Sequence, residues 1–163
     1  MNLVDAIEKR IASPARLTDY AAITHRTRLP TATHEEIEEA ELKIGSPLPA
    51  ILALLLRDVA NGGFGPGDGL LGVGPEGHRY EGADLMLNLP DLYRLNASED
   101  TWDKDQLAIV DFGDVIWGTV SLSTGLVSTS RGDTGTYEAQ HREPTAVDLE
   151  TWLMRWAQAD STG

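Results

Sequence analysis

The sequence predicts an α+β domain in which a mixed or antiparallel sheet of about four to six strands is packed by amphipathic helices. Apolar residues recur at helical spacing in the first sixty residues and again near the carboxyl end, whereas residues 106–130 contain three strand-like runs separated by turn sequences. The chain has 163 residues, 41% hydrophobic and 24% charged, which is the composition of one globular domain. No repeat, linker or low-complexity tract divides it.

Residues 1–30 are predicted to form a loosely attached, helical N-terminal extension, and residues 31–163 a single domain. Pro14 is expected to end the short helix of the extension. Apolar residues of this helix recur at helical spacing at Leu3, Ile7 and Ile11.

A second helix is predicted to begin at Thr33, because Thr33 and Glu36 have the spacing of a capping box. In such a box the threonine side chain accepts a hydrogen bond from the amide of residue 36, and the glutamate reaches back to the amide of residue 33. Gly45 is placed to end the helix. The apolar positions share one face and are Ile37, Ala40 and Ile44.

A leucine-rich helix follows, with Pro49 in its first turn, where proline is tolerated. Because it is apolar on more than one face, we expect it to lie between a sheet and a neighbouring helix. It ends at Asn61-Gly62-Gly63, and Gly63 or Asn61 is expected to take a positive φ there. Its main apolar stripe is Leu48, Ile51, Leu52, Leu55 and Val59.

Residues 62–82 contain nine of the 16 glycines and are predicted to form a long irregular loop with one short strand at about 70–73. The spacing of Gly67, Gly69 and Gly72 matches a dinucleotide-binding pattern. That site requires a strand before the glycines and a helix after them. Here a helix precedes them and further glycines and a proline follow, so we attribute the pattern to chance and expect no cofactor.

The remaining elements are a helical turn, three strands and a closing helix. Asn88 and Pro90 are typical of the start of a helix. The last two strands are joined by a turn at 123–125 to form a hairpin. The three strands are predicted at 106–112, 115–122 and 126–130. The closing helix is amphipathic, with apolar positions Leu149, Trp152, Leu153 and Trp156.

No catalytic or metal site is expected. The chain has no cysteine, which excludes a thiolate nucleophile and a zinc-thiolate site. His34 begins a zinc-binding pattern, but Glu38 stands where the second histidine is required. Asp111 and Asp114 could stand as an acid/base pair, but a turn between strands explains them better. We therefore predict that the protein is not an enzyme. The least favoured alternative is catalysis by carboxylates of the glycine-rich loop.

The chain is strongly acidic, with 13 Lys and Arg against 26 Asp and Glu and a net charge of −13. Residues 61–130 have three basic and eleven acidic residues, a net charge of −8. This balance opposes binding to nucleic acids and to anionic membranes. The longest apolar run, 50–56, is too short to span a bilayer, and Asp5 and Glu8 interrupt any secretory signal. A cytoplasmic location is expected.

The acidic residues serve either solubility alone or the docking of a basic protein partner. Four of them lie in or beside the glycine-rich loop, which is expected to do little packing of its own. We therefore predict that the partner-binding residues are Asp68, Glu76, Glu81 and Asp84.

Several short motifs occur in a recognisable order. They are Ile37, Ala40, Glu41 and Gly45 in an acid-rich capped helix, Leu48-Pro49, Asn61-Gly62-Gly63, Asp111-Phe112-Gly113-Asp114, Trp117, Thr124-Gly125-Leu126-Val127, and Trp152-Leu153. Over about residues 33–157 this order resembles the SUKH superfamily, the Smi/Knr-type domains. The chain departs from that pattern in its glycine-rich insertion and in its first thirty residues.

The resemblance implies helices packed on a mixed or antiparallel sheet and no known catalytic site. Bacterial members of the family look like immunity proteins that neutralise a cognate toxin, often a nuclease, and fungal members look like cell-wall and signalling regulators. The predicted function is therefore that of an immunity protein with a basic toxin domain as partner. The alternative is an intracellular scaffold or regulator of the same fold. The sequence does not indicate the oligomeric state.

Overall fold

The computed structural model describes residues 1–12, 28–82, 85–114, 116–131 and 141–159. Within them the helices are α1 (Leu3–Ile11), α2 (His34–Ile44), α3 (Ala50–Asp58), α4 (Leu89–Ala97) and α5 (Leu149–Gln158). The strands are β1 (Tyr80–Glu81), β2 (Met86–Leu87), β3 (Gln106–Gly113), β4 (Ile116–Ser121), β5 (Leu126–Arg131) and β6 (His141–Asp148).

The strands form two antiparallel sheets, which confirms the predicted α+β class. β3, β4, β5 and β6 lie in that order in a four-stranded sheet, while β1 and β2 form a separate hairpin. The turn between β4 and β5 was predicted correctly. The amide of Gly125 donates to the carbonyl oxygen of Ser121 over 2.8 Å, and Gly125 has a φ of 75°.

The core lies between the sheet and the helices. Leu107, Val120 and Val127 stand beside one another on β3, β4 and β5 and are fully buried. α5 contacts β5 and β6, and α4 contacts β3. A Cβ atom at Gly118 of β4 would lie 3.2 Å from the Trp152 ring of α5, so the small residue allows the helix to approach the sheet closely.

Helix α1 belongs to this core, which corrects the prediction that the N-terminal segment is loosely attached. α1 packs against α5, and the guanidinium of Arg10 lies 4.7 Å from the centre of the Trp156 ring. The apolar face of α1 is buried in the same core at Leu3, Ala6 and Ile7. The amphipathic pattern of α1 was thus predicted, but the pattern alone could not show that α1 packs against α5.

Three predicted helix ends are confirmed, but the leucine-rich helix ends at Asp58 rather than at Asn61-Gly62-Gly63, and Pro49 is its N-cap rather than part of its first turn. Glu36 donates its amide to the Thr33 hydroxyl over 3.1 Å, and the Thr33 amide donates to the Glu36 carboxylate over 3.0 Å. Gly45 ends α2 with a φ of 82°. Asn88 caps α4 by accepting from the amide of Asp91. Each of these ends depends on contacts within three or four residues, which is why the sequence reveals them.

The glycine-rich segment, residues 62–82, is packed rather than loose, which corrects the prediction of a loop with little packing of its own. Leu70, Leu71 and Val73 are buried. The buried side chain of Asn61 holds the segment, because its Nδ2 donates to the carbonyl oxygen of Val73 over 2.7 Å and its Oδ1 accepts from the amide of Val73 over 2.9 Å. Gly63 has the predicted positive φ, 87°.

This segment runs along the outer edge of β3. The predicted strand at 70–73 is reduced to a single bridge between Leu70 and Val110, because glycines with positive φ interrupt the extended backbone. The amide of Leu71 nevertheless donates to the carbonyl oxygen of Ile109 over 2.8 Å. The segment therefore satisfies polar groups that an open sheet edge would expose.

Two features of the fold were not predicted. The hairpin β1–β2 has only two residue pairs, too few to show an alternating pattern. The strand β6 contains Pro144, which argues against a strand in a sequence pattern. β6 lies at the edge of the sheet, where a residue without an amide hydrogen is tolerated.

Candidate functional site

Three of the four predicted partner-binding residues can be placed in the structure. Asp68 is half-buried where the glycine-rich segment passes the end of β3, and its amide donates to the carbonyl oxygen of Asp111 over 3.0 Å. Glu81 is exposed on β1, and Glu76 is exposed in a turn. Asp84 lies outside the described residues.

His78 is buried beside Asp68 and joins the two halves of the glycine-rich segment. Its Nε2 lies 2.7 Å from the carbonyl oxygen of Asp68 and 3.6 Å from the carboxylate Oδ2 of the same residue. The amide of His78 donates to the carbonyl oxygen of Asn61, and its own carbonyl oxygen accepts from the amide of Gly72. The position of Asp68 is therefore set by contacts within the segment.

Asp68, Glu81 and Asp111 form one acidic cluster. Burial raises the pKa of Asp68 above its ordinary value, His78 opposes this shift, and the negative charges of Asp111 and Glu81 raise the pKa further. The backbone brings the three residues to one region, because the amide of Asp68 donates to the carbonyl oxygen of Asp111 and Tyr80, the neighbour of Glu81, packs on Trp117, the register partner of Asp111. No lysine or arginine of the described residues forms an ion pair with Glu81 or Asp111.

Asp111 was not predicted as a site residue, because it was attributed to the turn after β3. It does serve that turn, since its carboxylate accepts from the amide of Gly113 over 2.8 Å. Gly113 and Asp114 complete the turn with φ values of 81° and 51°. The available signal in the sequence was an acidic residue directly after the four apolar residues 107–110 of β3.

Aromatic side chains lie next to the acidic cluster. Tyr80 packs edge to face on Trp117, with 5.0 Å between ring centres, and Trp117 is the β4 partner of Asp111 in the sheet register. Phe112 is exposed and contacts Trp152 with 6.3 Å between ring centres. Asp111 is therefore next to an aromatic residue both across the sheet, at Trp117, and along the chain, at Phe112.

Glu76 belongs to a different surface. Its turn borders a pocket of about 270 Å³ between α2, α4 and the glycine-rich segment. Lys43 in this pocket lies 3.8 Å from the carboxylate of Glu39 and 3.7 Å from that of Asp91. Charges of both signs line the pocket, and Glu76 is not among the carboxylates that raise the pKa of Asp68.

The cluster is chemically suited to accept hydrogen bonds from cationic groups, because ionised carboxylates accept from arginine and lysine. Within the described ranges, no group of three or more histidine, aspartate or glutamate side chains is placed to hold a metal ion. In that same part of the chain, every helix is too short or too polar to cross a bilayer.

Comparison of the chain with protein-family models, with curated proteins and with solved structures found no match.

Proposed function

We propose that the protein is a protein-binding module, and specifically an immunity protein that binds and neutralises a bacterial toxin domain with a basic surface. The acidic cluster of Asp68, Glu81 and Asp111 carries the proposal, because within the described residues Glu81 and Asp111 form no ion pair with a lysine or arginine and only His78 lies beside the Asp68 carboxylate. The order of SUKH-like motifs supports the immunity role. A nuclease is a fitting target, since enzymes that bind nucleic acid present basic surfaces.

The electrostatic repulsion within the acidic cluster favours docking of a partner, rather than solubility, as the role of these residues. Surface charges that only keep a protein soluble are best spread apart, because close like charges repel one another. Asp68 instead lies half-buried near two other carboxylates, and its raised pKa reports that its ionised form is disfavoured there. A cationic partner would offset the repulsion between these carboxylates on binding.

Complementary charge mainly accelerates association and fixes the orientation of the partner. A surface with this role should therefore show fast binding at low salt and slower binding as salt screens the attraction. The adjoining aromatic groups would add buried apolar area after the first encounter.

The first experiment tests protection and binding together. The genes next to this one are cloned, any that proves toxic on expression is co-expressed with the wild-type protein, and the purified pair is used for association kinetics at two ionic strengths. We expect rescue of growth and a stable complex. Binding without any toxic activity in the partner would instead indicate the scaffold or regulatory role, and absence of any complex with a basic protein would contradict the proposal.

The second experiment locates the binding surface. Glu81→Lys combined with Asp111→Lys is compared with Glu76→Lys combined with Glu99→Lys, since both double variants change the net charge equally. Glu99 is an exposed residue outside the acidic cluster. The first variant should slow association about tenfold at low salt and flatten its salt dependence, while the second should change the rate much less. Equal effects would show that only the total charge matters.

A further inference from the structure

We infer that the partner docks on the β1–β2 hairpin with a basic amphipathic segment, in which arginine or lysine side chains alternate with apolar ones. This inference rests on the proposed function and names the surface and the partner chemistry more closely. The hairpin surface is defined as Glu81 and its strand partner Met86, together with Leu85, the residue directly before Met86.

Leu85 and Met86 are exposed apolar residues next to each other in the chain, at 48% and 59% of their full accessible surface. Apolar side chains exposed on a short strand favour pairing with another chain, and folded proteins usually protect such edges with charge or cover them. Here Met86 is paired with the acidic Glu81, and both apolar side chains are exposed in the part of the chain that the structure describes.

The hairpin is held in place from its other side. Tyr80 pairs with Leu87, and Glu81 pairs with Met86. Side chains of paired residues lie on the same face of a two-stranded sheet, and successive residues alternate. Since Tyr80 packs on Trp117 of β4, Glu81 and Met86 share the opposite face. A carboxylate and an apolar side chain are thus presented together.

The negative charge of this surface selects the occupant. Glu81 is exposed on β1, which packs through Tyr80 on Trp117, the register partner of Asp111, and the backbone of Asp111 is bonded to that of Asp68. A second copy of this chain, with a net charge of −13, would bring like charges together, and an anionic membrane would be repelled in the same way. A basic segment with apolar residues satisfies both the carboxylates and the exposed Leu85 and Met86.

The test uses two synthetic twelve-residue peptides of equal charge, one alternating arginine with leucine and one alternating arginine with serine. Binding to the full chain is measured by calorimetry and by NMR chemical-shift changes. The leucine peptide should bind at least tenfold more tightly than the serine peptide, with shifts centred on the hairpin surface. Equal affinities for the two peptides would overturn the inference, because charge alone would then explain binding.

Variants locate the effect. Leu85→Ser combined with Met86→Ser should remove the tenfold preference for the leucine peptide. Glu81→Gln should weaken the binding of both peptides. The matched control is Leu42→Ser combined with Leu95→Ser, which changes two other exposed leucines, on α2 and α4. A control variant that loses the preference equally would contradict the inference. All four substituted leucine and methionine positions are exposed, so melting temperatures should stay close to that of the wild type.

The native toxin separates this inference from the proposed function. If the toxin binds Leu85→Ser combined with Met86→Ser at the wild-type rate and affinity, the hairpin is not the docking surface, although the immunity role stands. If no toxin binds the wild-type chain, the proposed function itself is contradicted, whatever the effect of the hairpin variants.

Discussion

The imidazole Nε2 of His78 lies 2.7 Å from the backbone carbonyl oxygen of Asp68, and this contact closes the glycine-rich segment over ten residues. A carbonyl oxygen only accepts hydrogen bonds, so Nε2 carries the hydrogen. Because this bond fixes the backbone at Asp68, the position of its carboxylate depends on the folding of the segment. The acidic cluster and the packing of the segment are therefore coupled.

The raised pKa of Asp68 predicts a pH dependence of stability. Folding makes this carboxylate easier to protonate, so the native state binds the proton more readily than the unfolded chain does. Its contribution to the free energy of unfolding should therefore increase as pH falls, over a window that lies above the ordinary value of 3.8. Relative to Asp68→Asn, which cannot titrate, the wild type should gain stability between pH 7 and pH 4.

Urea unfolding at several pH values measures this difference. Asp114→Asn, in the exposed turn after β3, is the control for loss of one negative charge. A stability difference between the wild type and Asp68→Asn that does not change with pH would contradict the assignment.

Gly62 should be far less tolerant of alanine than Gly45, although both have a positive φ, 85° and 82°. A Cβ atom at Gly62 would lie 2.4 Å from the carbonyl oxygen of Leu70, whereas nothing lies within 4 Å of a Cβ atom at Gly45. Gly45→Ala should cost about 1 to 2 kcal/mol, the price of the left-handed conformation alone. Gly62→Ala should cost clearly more or prevent folding. Equal denaturation midpoints for the two variants would contradict the close approach of the backbones.

In α5, Leu153 should contribute more to stability than Trp156. Leu153 is fully buried, whereas Trp156 is half-buried beneath the guanidinium of Arg10. Leu153→Ala should therefore cost about 2 to 5 kcal/mol. Trp156→Ala should lower the melting temperature less than Leu153→Ala does, because part of the Trp156 side chain stays exposed to solvent. Chemical denaturation of both variants gives the ranking, and a loss of stability for Trp156→Ala equal to or larger than that for Leu153→Ala would contradict the prediction.

Asp105 should stabilise the turn between β4 and β5. Its carboxylate accepts hydrogen bonds from the amide and the hydroxyl of Ser123 and from the hydroxyl of Ser121. Hydrogen bonds to a charged group contribute about 1.5 to 3 kcal/mol, so Asp105→Ala should destabilise by about 2 kcal/mol. Asp100→Ala, at an exposed position, is the control and should change stability little. Faster hydrogen exchange at residues 121–125 in Asp105→Ala would locate the loss, and equal stability of the two variants would contradict the role of Asp105.

Much of the fold followed from the sequence by itself. The capping box of Thr33 and Glu36, the glycine that ends α2, the Asn88 cap and the β4–β5 turn all depend on residues three or four positions apart. The apolar faces of α2, α3 and α5 could also be predicted, because apolar residues recur about every 3.6 residues in a helix that buries one face. The sequence also determined the negative charge and the absence of cysteine chemistry.

The site was predicted only in part. Asp68 and Glu81 belong to the acidic cluster, Glu76 lies on another surface and Asp111 joins the cluster from β3. No spacing rule brings residues 68, 81 and 111 together. Their proximity depends on the pairing of the glycine-rich segment with the edge of β3.

The tertiary structure alone decided these long-range relationships. It placed α1 on α5, put β6 at the sheet edge despite Pro144, and buried a glycine-rich segment that local pattern describes as a loose loop. The physical reason is that local hydrogen bonds and helical periodicity are encoded within one or two turns of chain. Burial and charge clustering depend on which distant segments meet. Glycines allow two backbones to approach closely, but a glycine-rich segment has no apolar periodicity from which its burial could be predicted.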